Sequence, residues 1–423
     1  MTIEQPAFGE RVREIRRAQG MSQGDLAGDG VSPSYVSLVE SGRRSPSTKA
    51  AKAIAERLGM SLEELTAPRP ADRERTHRLE LVGQLVAARA SQAAGDWPAA
   101  RRQLETVAGR AADNDLDEVR WEARWELAAV LDQLGAADDR ERVLRTLLDD
   151  PLTTAAPLLR SQIAAELSQL HRRQGRLAEA VRRAEDAQSA AADVEAARPA
   201  RVQAQVALLS AYVESGEWHR AQGLADTLLD EAPSAGAARL RAIALWAAAG
   251  ARYLDGRADA AHELLTEADE LLAATDDVRQ RTRLARARTL LALACDAPGA
   301  DALLERVRQA AALLATPETL SWLAALEVLD ALRASDAERA LEQAGTIPVD
   351  SPALPALDQA RCVLIRARAQ RAAGREAAAE ADFRTAASGY EAAGAYRLAM
   401  ATWRELSDPG HLTGPDPHLV LMP

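Results

Sequence analysis

At 423 residues the chain is too long for one ordinary core and suits two or three domains, or a repeat array. Alanine fills 95 positions, aromatics make up only 3%, and runs rich in valine, isoleucine and threonine are almost missing, which excludes a β-rich fold and predicts an all-α protein. The formal net charge of −11 is unevenly placed: residues 1–70 hold ten Lys/Arg against nine Asp/Glu, and the rest 42 against 54, so the two parts suit different partners.

In chain order, a first helix from about Ala7 to Gln19 sets Phe8, Val12 and Ile15 on one face. Ser22 with Asp25 makes a capping box for a short second helix, which "GDG" (28–30) breaks. Ser32 caps a third helix with Pro33 at its first position, Val36 and Val39 facing inward, and Gly42 as a left-handed stop. Ser47 opens a fourth helix running to Leu58. Ser61 with Glu64 caps a final turn. Two short helices joined by a tight glycine-bearing turn are a helix-turn-helix.

"GERVREIRRAQGMSQGDLA", "VSPSYVSLVESGRRSPS" and "AKAIAERLGMSLEEL" together resemble the phage Cro/repressor-like (Xre) DNA-binding family. The resemblance implies that the start of the third helix enters the major groove of double-stranded DNA, with Ser32, Pro33, Ser34, Ser37 and Leu38 toward the bases. Gln23, Ser41, Arg43 and Arg44 would hold phosphates, and Glu40 would pair with Arg16 as scaffold. None of these base-facing residues makes the bidentate contact that arginine makes to guanine, so specificity is expected from DNA shape and dimer spacing. Few cations at the DNA also predict weak monomer binding and a shallow salt dependence, hence a homodimer on an inverted-repeat operator.

Residues 67–77, with two prolines, read as a linker. Beyond it a hexad recurs: "GDWPAA" at 95, "GRLAEA" at 175, "GEWHRA" at 216, "GRADAA" at 256 and "GREAAA" at 374, with weaker copies at Gly135, Ala297 and Ser335. The spacing stays between 38 and 41 residues, and the sixth position is alanine in seven of eight copies. A period near 40 predicts stacked helical hairpins, with a small residue letting each second helix press on the first. The pattern resembles the tetratricopeptide repeat superfamily. That resemblance implies a right-handed superhelix of about eight hairpins over residues 78–406, closed by a capping helix from about Ala395 to Leu406. The tail, 407–423, carries four prolines and reads as flexible.

No P-loop, GxSxG or HExxH occurs, and the six histidines do not fall at metal spacing, so neither an enzyme nor a cofactor is expected. Cys295 and Cys362 lie 67 residues apart in helical text and read as buried thiols of a cytoplasmic protein. No signal peptide or apolar run of membrane-spanning length is present, and the scarcity of lysine (only Lys49 and Lys52) fits a GC-rich, actinobacterial-type genome.

A repressor-like reader joined to such repeats resembles the peptide-sensing regulators of Gram-positive bacteria, the RRNPP (Rgg/PlcR-like) group, in which asparagines clamp a peptide backbone. Only Asn114 exists here, so arginine or glutamine would have to substitute. Candidate ligand residues are Trp121 and Trp125, which otherwise pack between hairpins, and Arg279, Arg283 and Arg286. Those arginines share one helical face, which reads as solvated; turned inward, it could hold a carboxylate bidentately. The resulting expectation is a transcriptional regulator whose repeats dimerise and sense a peptide or small molecule. An adaptor recruiting a protein partner to DNA is the alternative.

Overall fold

The computed structural model describes residues 3–28, 30–67, 70–192, 198–273, 278–348, 350–351, 354–408 and 414–423. Among them no strand forms beyond an isolated bridge between Gly28 and Val31, so the fold is all-helical. It divides into two compact units, residues 1–87 with 109–119, and residues 88–108 with 120–423.

The first unit opens with α1 (Ala7–Ala18), α2 (Pro33–Glu40), α3 (Thr48–Arg57) and α4 (Leu62–Thr66). Phe8, Val12, Leu26, Val36, Val39, Ile54, Leu58 and Leu65 form its core. The caps fall where the sequence puts them. Ser32 accepts from Tyr35 N at 3.1 Å, Ser47 from Ala50 N at 3.2 Å, and Ser61 and Glu64 close a reciprocal box. The expected second helix is shorter than expected: Ser22 and Asp25 do cap each other, but residues 23–26 form only turns with i to i+3 bonds. With Gly24 inside and Gly28 at φ +134°, the segment lacks the length to propagate a helix. Asp29, expected in its break, lies outside the described residues. Gly9 is required by packing, because a Cβ there would sit 1.9 Å from the Val39 carbonyl oxygen.

The expected linker is mostly helix. Residues 68–69 lie outside the described residues, but α5 (Pro70–Ala93) begins at Pro70, which suits a first helical position, and continues through the stretch read as connector. There follow α6 (Trp97–Asp113), α7 (Asp117–Gln133), α8 (Ala137–Leu148), the short α9 (Pro151–Ala155), α10 (Pro157–Arg173), α11 (Leu177–Ala191), α12 (Arg198–Ser215), α13 (Trp218–Glu231), α14 (Ala238–Leu254), α15 (Ala258–Ala273), α16 (Val278–Ala294), α17 (Ala300–Leu314), α18 (Pro317–Arg333), α19 (Ala337–Ala344), α20 (Ala356–Ala372), α21 (Glu376–Ala393) and α22 (Tyr396–Ser407). All eight hexads fall at turns between paired helices. Gly95, Gly135, Gly175, Gly216, Gly256 and Gly374 take positive φ there, and Asp296 and Ser335 do so in the copies that do not begin with glycine.

The alanine at the sixth position is the close-contact point of each hairpin. Ala100, Ala180, Ala261, Ala340 and Ala379 are fully buried, and Ser168 on α10 donates to the Ala180 carbonyl across the hairpin at 2.8 Å. Two copies depart. Arg140 replaces the alanine and is held by Asp132 and Glu166. Ala302 is exposed because the turn before α17 is longer, and Ala300 is buried instead. Cys362 is buried as expected, whereas Cys295 is exposed in that same longer turn.

Replacing Ala180 with leucine forces α10 and α11 apart and should cost about 1–3 kcal/mol, read as a lower urea midpoint by circular dichroism. The same change at exposed Ala302 should stay within about 0.5 kcal/mol. Equal effects at both sites would refute the close-contact role.

Candidate nucleic-acid interface and candidate ligand groove

α2 is divided by burial. Val36, Val39 and Glu40 point into the first unit, and Ser32, Pro33, Ser34, Ser37 and Leu38 are open to solvent, Leu38 being 38% exposed. Ser41, Arg43 and Arg44 are exposed just beyond the helix end. Arg44 lies over the Tyr35 ring at 5.0 Å, and Ser41 Oγ donates to the Leu38 carbonyl at 3.1 Å. Eight of the nine residues expected to contact DNA therefore share an exposed surface around α2. Gln23 is half-buried, and its amide donates to Glu40 Oε2 at 2.9 Å, so in this arrangement it braces the scaffold.

The Arg16–Glu40 pair forms as expected. Arg16 Nε and Nη2 donate to the two carboxylate oxygens at 2.6 and 3.0 Å, a bidentate contact inside the unit. Arg16 also holds the Met21 carbonyl at 2.7 Å, and Arg13 holds that of Glu40 at 2.8 Å. One carboxylate thus ties α1, the turn and α2 together. Burial alone would raise the Glu40 pKa, but hydrogen bonds from Arg16 and Gln23 and the charges of Arg16 and Arg13 outweigh it, and the net shift is downward. Gln5 was missed by sequence reasoning: its amide donates to the Arg44 carbonyl at 2.9 Å and so fixes the backbone beside the exposed arginines. A lone glutamine before a helix carries no signal of that role.

In the second unit the ligand candidates separate. Trp121 and Trp125 stack with ring centroids 5.9 Å apart, Trp121 donates to Thr153 Oγ1 at 2.8 Å, and both pack on the Leu144–Leu167 core between hairpins. Arg279 is exposed at the start of α16. Arg283 and Arg286, by contrast, turn inward, overturning the solvated-face reading for them. Arg286 is buried and pairs with Glu318 at 2.7 Å, while its Nε and Nη1 find no partner among the described residues. Arg283 lies over the Trp246 ring at 5.7 Å, and burial with the nearby Arg173, Arg286 and Arg172 pushes its pKa down to about 10. Arg172 reaches Glu214 at 2.9 Å, and Arg361 reaches Asp358 at 2.8 Å. Four guanidiniums, those of Arg172, Arg283, Arg286 and Arg361, thus face three carboxylates, Glu214, Glu318 and Asp358, beside a cavity that Leu421 and Met422 also line.

Those last two residues correct the reading of the tail. Residues 409–413 lie outside the described residues, but 414–423 run into the repeat unit. His418, Leu419, Val420 and Met422 are buried. Asp416 pairs with Arg368 at 2.7 Å, and its backbone N–H donates to Tyr253 Oη at 3.0 Å. The Trp246 indole donates to the Leu421 carbonyl at 2.7 Å, and Arg172 donates to the Pro423 carbonyl. His418 meets the Tyr390 ring in a tilted contact with centroids 5.2 Å apart, and burial pushes its pKa down to about 3, so it is neutral. Full burial of Leu419, Val420 and Met422 contributes about 1.5–3 kcal/mol each, which offsets the ordering of a proline-rich segment. The run "HLVLMP" in a tail was the signal available in the sequence. Asn114 takes no part, since its amide donates to the Arg110 carbonyl one helical turn back.

Residues 12–65 match the family model described as Helix-turn-helix. No curated protein sequence matches the chain. Among solved structures, a Rap protein complexed with competence and sporulation factor is similar over 95% of this chain and 99% of its own, at 12% identity and a TM-score of 0.55. The apo quorum sensor NprR from B. thuringiensis aligns over 95% of this chain and 97% of its own, at 13% identity and a TM-score of 0.44. At such identities the likeness to the Rap structure is one of fold, and it extends along the helical repeats. Among the described residues no helix is long and apolar enough to cross a membrane, and no His, Cys, Asp and Glu side chains gather as metal ligands.

The Glu40 pKa lies below its unfolded value. Its contribution to stability is therefore complete above the ordinary carboxylate range and disappears as pH falls through the depressed folded value. Hydrogen exchange of residues 7–66 should show protection falling in acid. Glu40→Gln should flatten that decline and cost about 3 kcal/mol at neutral pH, because Arg16 loses its buried counter-charge. An unchanged acid limb in the variant would refute the assignment.

Proposed function

We propose that the protein is a sequence-specific, DNA-binding transcriptional regulator of the cytoplasm, acting as a homodimer on an inverted repeat, with the repeat unit sensing a peptide. The observation that carries this reading is the exposed start of α2. Its inner residues are committed to the core, while Ser32, Pro33, Ser34, Ser37 and Leu38 stay open beside Arg43 and Arg44. That placement supports a helix entering the major groove with two guanidiniums on flanking phosphates.

The side chains favour modest base readout. Serine hydroxyls donate or accept without strong preference, and Pro33 and Leu38 offer only apolar contact to thymine methyls. A small set of phosphate contacts gives weak binding per reader, so two readers on half-sites about 34–36 Å apart, or a multiple of that, supply the affinity. The repeat unit supplies a ligand face rather than chemistry. Side chains of α10, α14 and α20 donate to or accept from an extended segment, and the fold is similar to one that holds a bound factor in the Rap structure.

Fluorescence anisotropy and footprinting on the DNA flanking the protein's own coding region test this reading. Two protected half-sites are expected, with one dimer per operator by analytical ultracentrifugation. Arg43→Ala and Arg44→Ala should each weaken binding to all sequences alike and reduce the slope of log K against log salt by about 0.9. Ser34→Ala and Ser37→Ala should instead alter preference among operator variants. Absence of any protected site, with or without the peptide described below, would end the proposal.

A further inference from the structure

The segment 414–423 lies in the repeat unit as a peptide ligand lies in a receptor. Its side chains alternate between walls. Leu419 packs into the cluster built around Trp322, Leu326 and Ile365, and Val420 and Met422 into that around Trp246, Leu209 and Leu245. Pro417–Leu419 form a single 3-10 turn capped by Asp416, and the chain is extended again at Val420, from where successive side chains go to alternate apolar walls as they do along a strand. The backbone is held by side chains instead of a sheet: Tyr253 at Asp416 N, Trp246 at the Leu421 carbonyl, and Arg172 at the Pro423 carbonyl. One charged anchor fixes the register, where Asp416 meets Arg368 at 2.7 Å and Arg368 is itself braced by Glu405 at 2.7 and 2.8 Å. The walls are not sealed against the far end. A cavity remains beside Leu421 and Met422, and the buried Arg286 lines it with Nε and Nη1 lacking partners among the described residues.

We propose that residues 414–423 are a tethered occupant of a peptide-binding groove, and that the free ligand is an extended peptide of the same chemistry. Such a peptide carries an acidic residue at the Arg368 end, then alternating apolar side chains, then an acceptor toward Arg172 and Arg286. The inference rests on the reading that the repeat unit senses a peptide, and it names what that peptide must displace. Tethering sets the threshold. A segment joined through a short connection has an effective concentration of order millimolar, so a free peptide of about 10 μM intrinsic Kd binds the intact chain about 100-fold more weakly. The groove is then covered until ligand concentration rises.

The test uses the full chain with a specific protease site placed between Ser407 and Gly414, and a labelled synthetic peptide of sequence GPDPHLVLMP as the probe. Before cleavage the probe should bind weakly. After cleavage and buffer exchange it should bind one per chain, about 100-fold more tightly, with the far-UV spectrum unchanged. The decisive readout is reciprocal: Asp416→Asn in the probe should weaken binding about tenfold, whereas Asp416→Asn in the uncleaved chain should strengthen binding of the unaltered probe about tenfold. Retention of the cleaved segment without exchange, loss of helix on its release, or Asp416→Asn in the chain failing to strengthen probe binding would each overturn the proposal. Operator binding on the same samples separates the two readings. Exchange without any change in operator affinity keeps the tethered occupant and removes the sensing role. An operator complex that forms while the segment never exchanges keeps the DNA-binding reading and removes the tethered occupant.

Discussion

Every helical hairpin of the second unit has an apolar face that it cannot bury on its own, and the organisation of that unit follows from that constraint. Within a hairpin, alanine at the contact point lets two helices meet closely, as Ala180 does under Ser168. Between hairpins, the first helices in the middle of the array are covered on nearly all sides, whereas α5 leaves Leu79, Val82 and Val86 exposed. In α12 every residue from Ala204 to Glu214 is buried, and in α14 every residue from Ala244 to Tyr253 is buried. A helix buried all round cannot be amphipathic in the usual sense, so the charges it carries must be neutralised within the fold. Arg172, Arg286, Arg361 and Arg366 sit on such helices, and each has a carboxylate partner.

Buried pairs of this kind add little net stability, because desolvation removes much of the Coulombic gain, while losing one partner is expensive. Their effect is positional. Arg368 is held bidentately by Glu405 and so presents a guanidinium of fixed direction to Asp416. Burial pushes the Asp416 carboxyl upward and the Arg368 charge pulls it further down, so the pair stays ionised. The first unit repeats the device on a smaller scale. There Glu40, bound by Arg16 and Gln23, fixes the angle at which α2 leaves the turn, and its exposed serines inherit that orientation.

Regular features were legible from the sequence. Turns recurring at 38–41 residues marked all eight hairpins, and Ser32, Ser47, Ser61 and Gly42 marked helix boundaries, since caps and left-handed stops are decided by neighbouring residues alone. Features that depend on distant contacts were not. Whether "DRERTH" is linker or helix turned on the continuation of α5, not on the two prolines that precede it in the sequence. Cys295 is exposed because one turn is longer than its counterparts, which the degenerate copy at Ala297 concealed. The arginines of "RQRTRLARAR" share a helical face, but only the stacking of neighbouring hairpins decides that Arg283 and Arg286 face inward while Arg279 stays exposed. The same holds for the tail: four prolines argue against a long helix, and nothing local says that Trp246, Tyr253 and Arg172 await its backbone.

The placement of those three residues also resolves the scarcity of asparagine. Clamping an extended backbone needs donors and acceptors of fixed direction at strand spacing, not one residue type. An indole N–H, a phenol oxygen and a guanidinium provide that here, from helices α14 and α10. Each is larger than asparagine and brings apolar or planar surface with it, so the groove gains contact area along with hydrogen bonds. It also loses the option of standing empty. Without the segment, Trp246, Tyr253, Leu265 and Leu291 would line an open apolar channel, the kind of surface that invites association. On the proposal made above, a chain that carries its own cover meets both needs, because the cover protects the channel and can give way to a peptide that fits the same contacts.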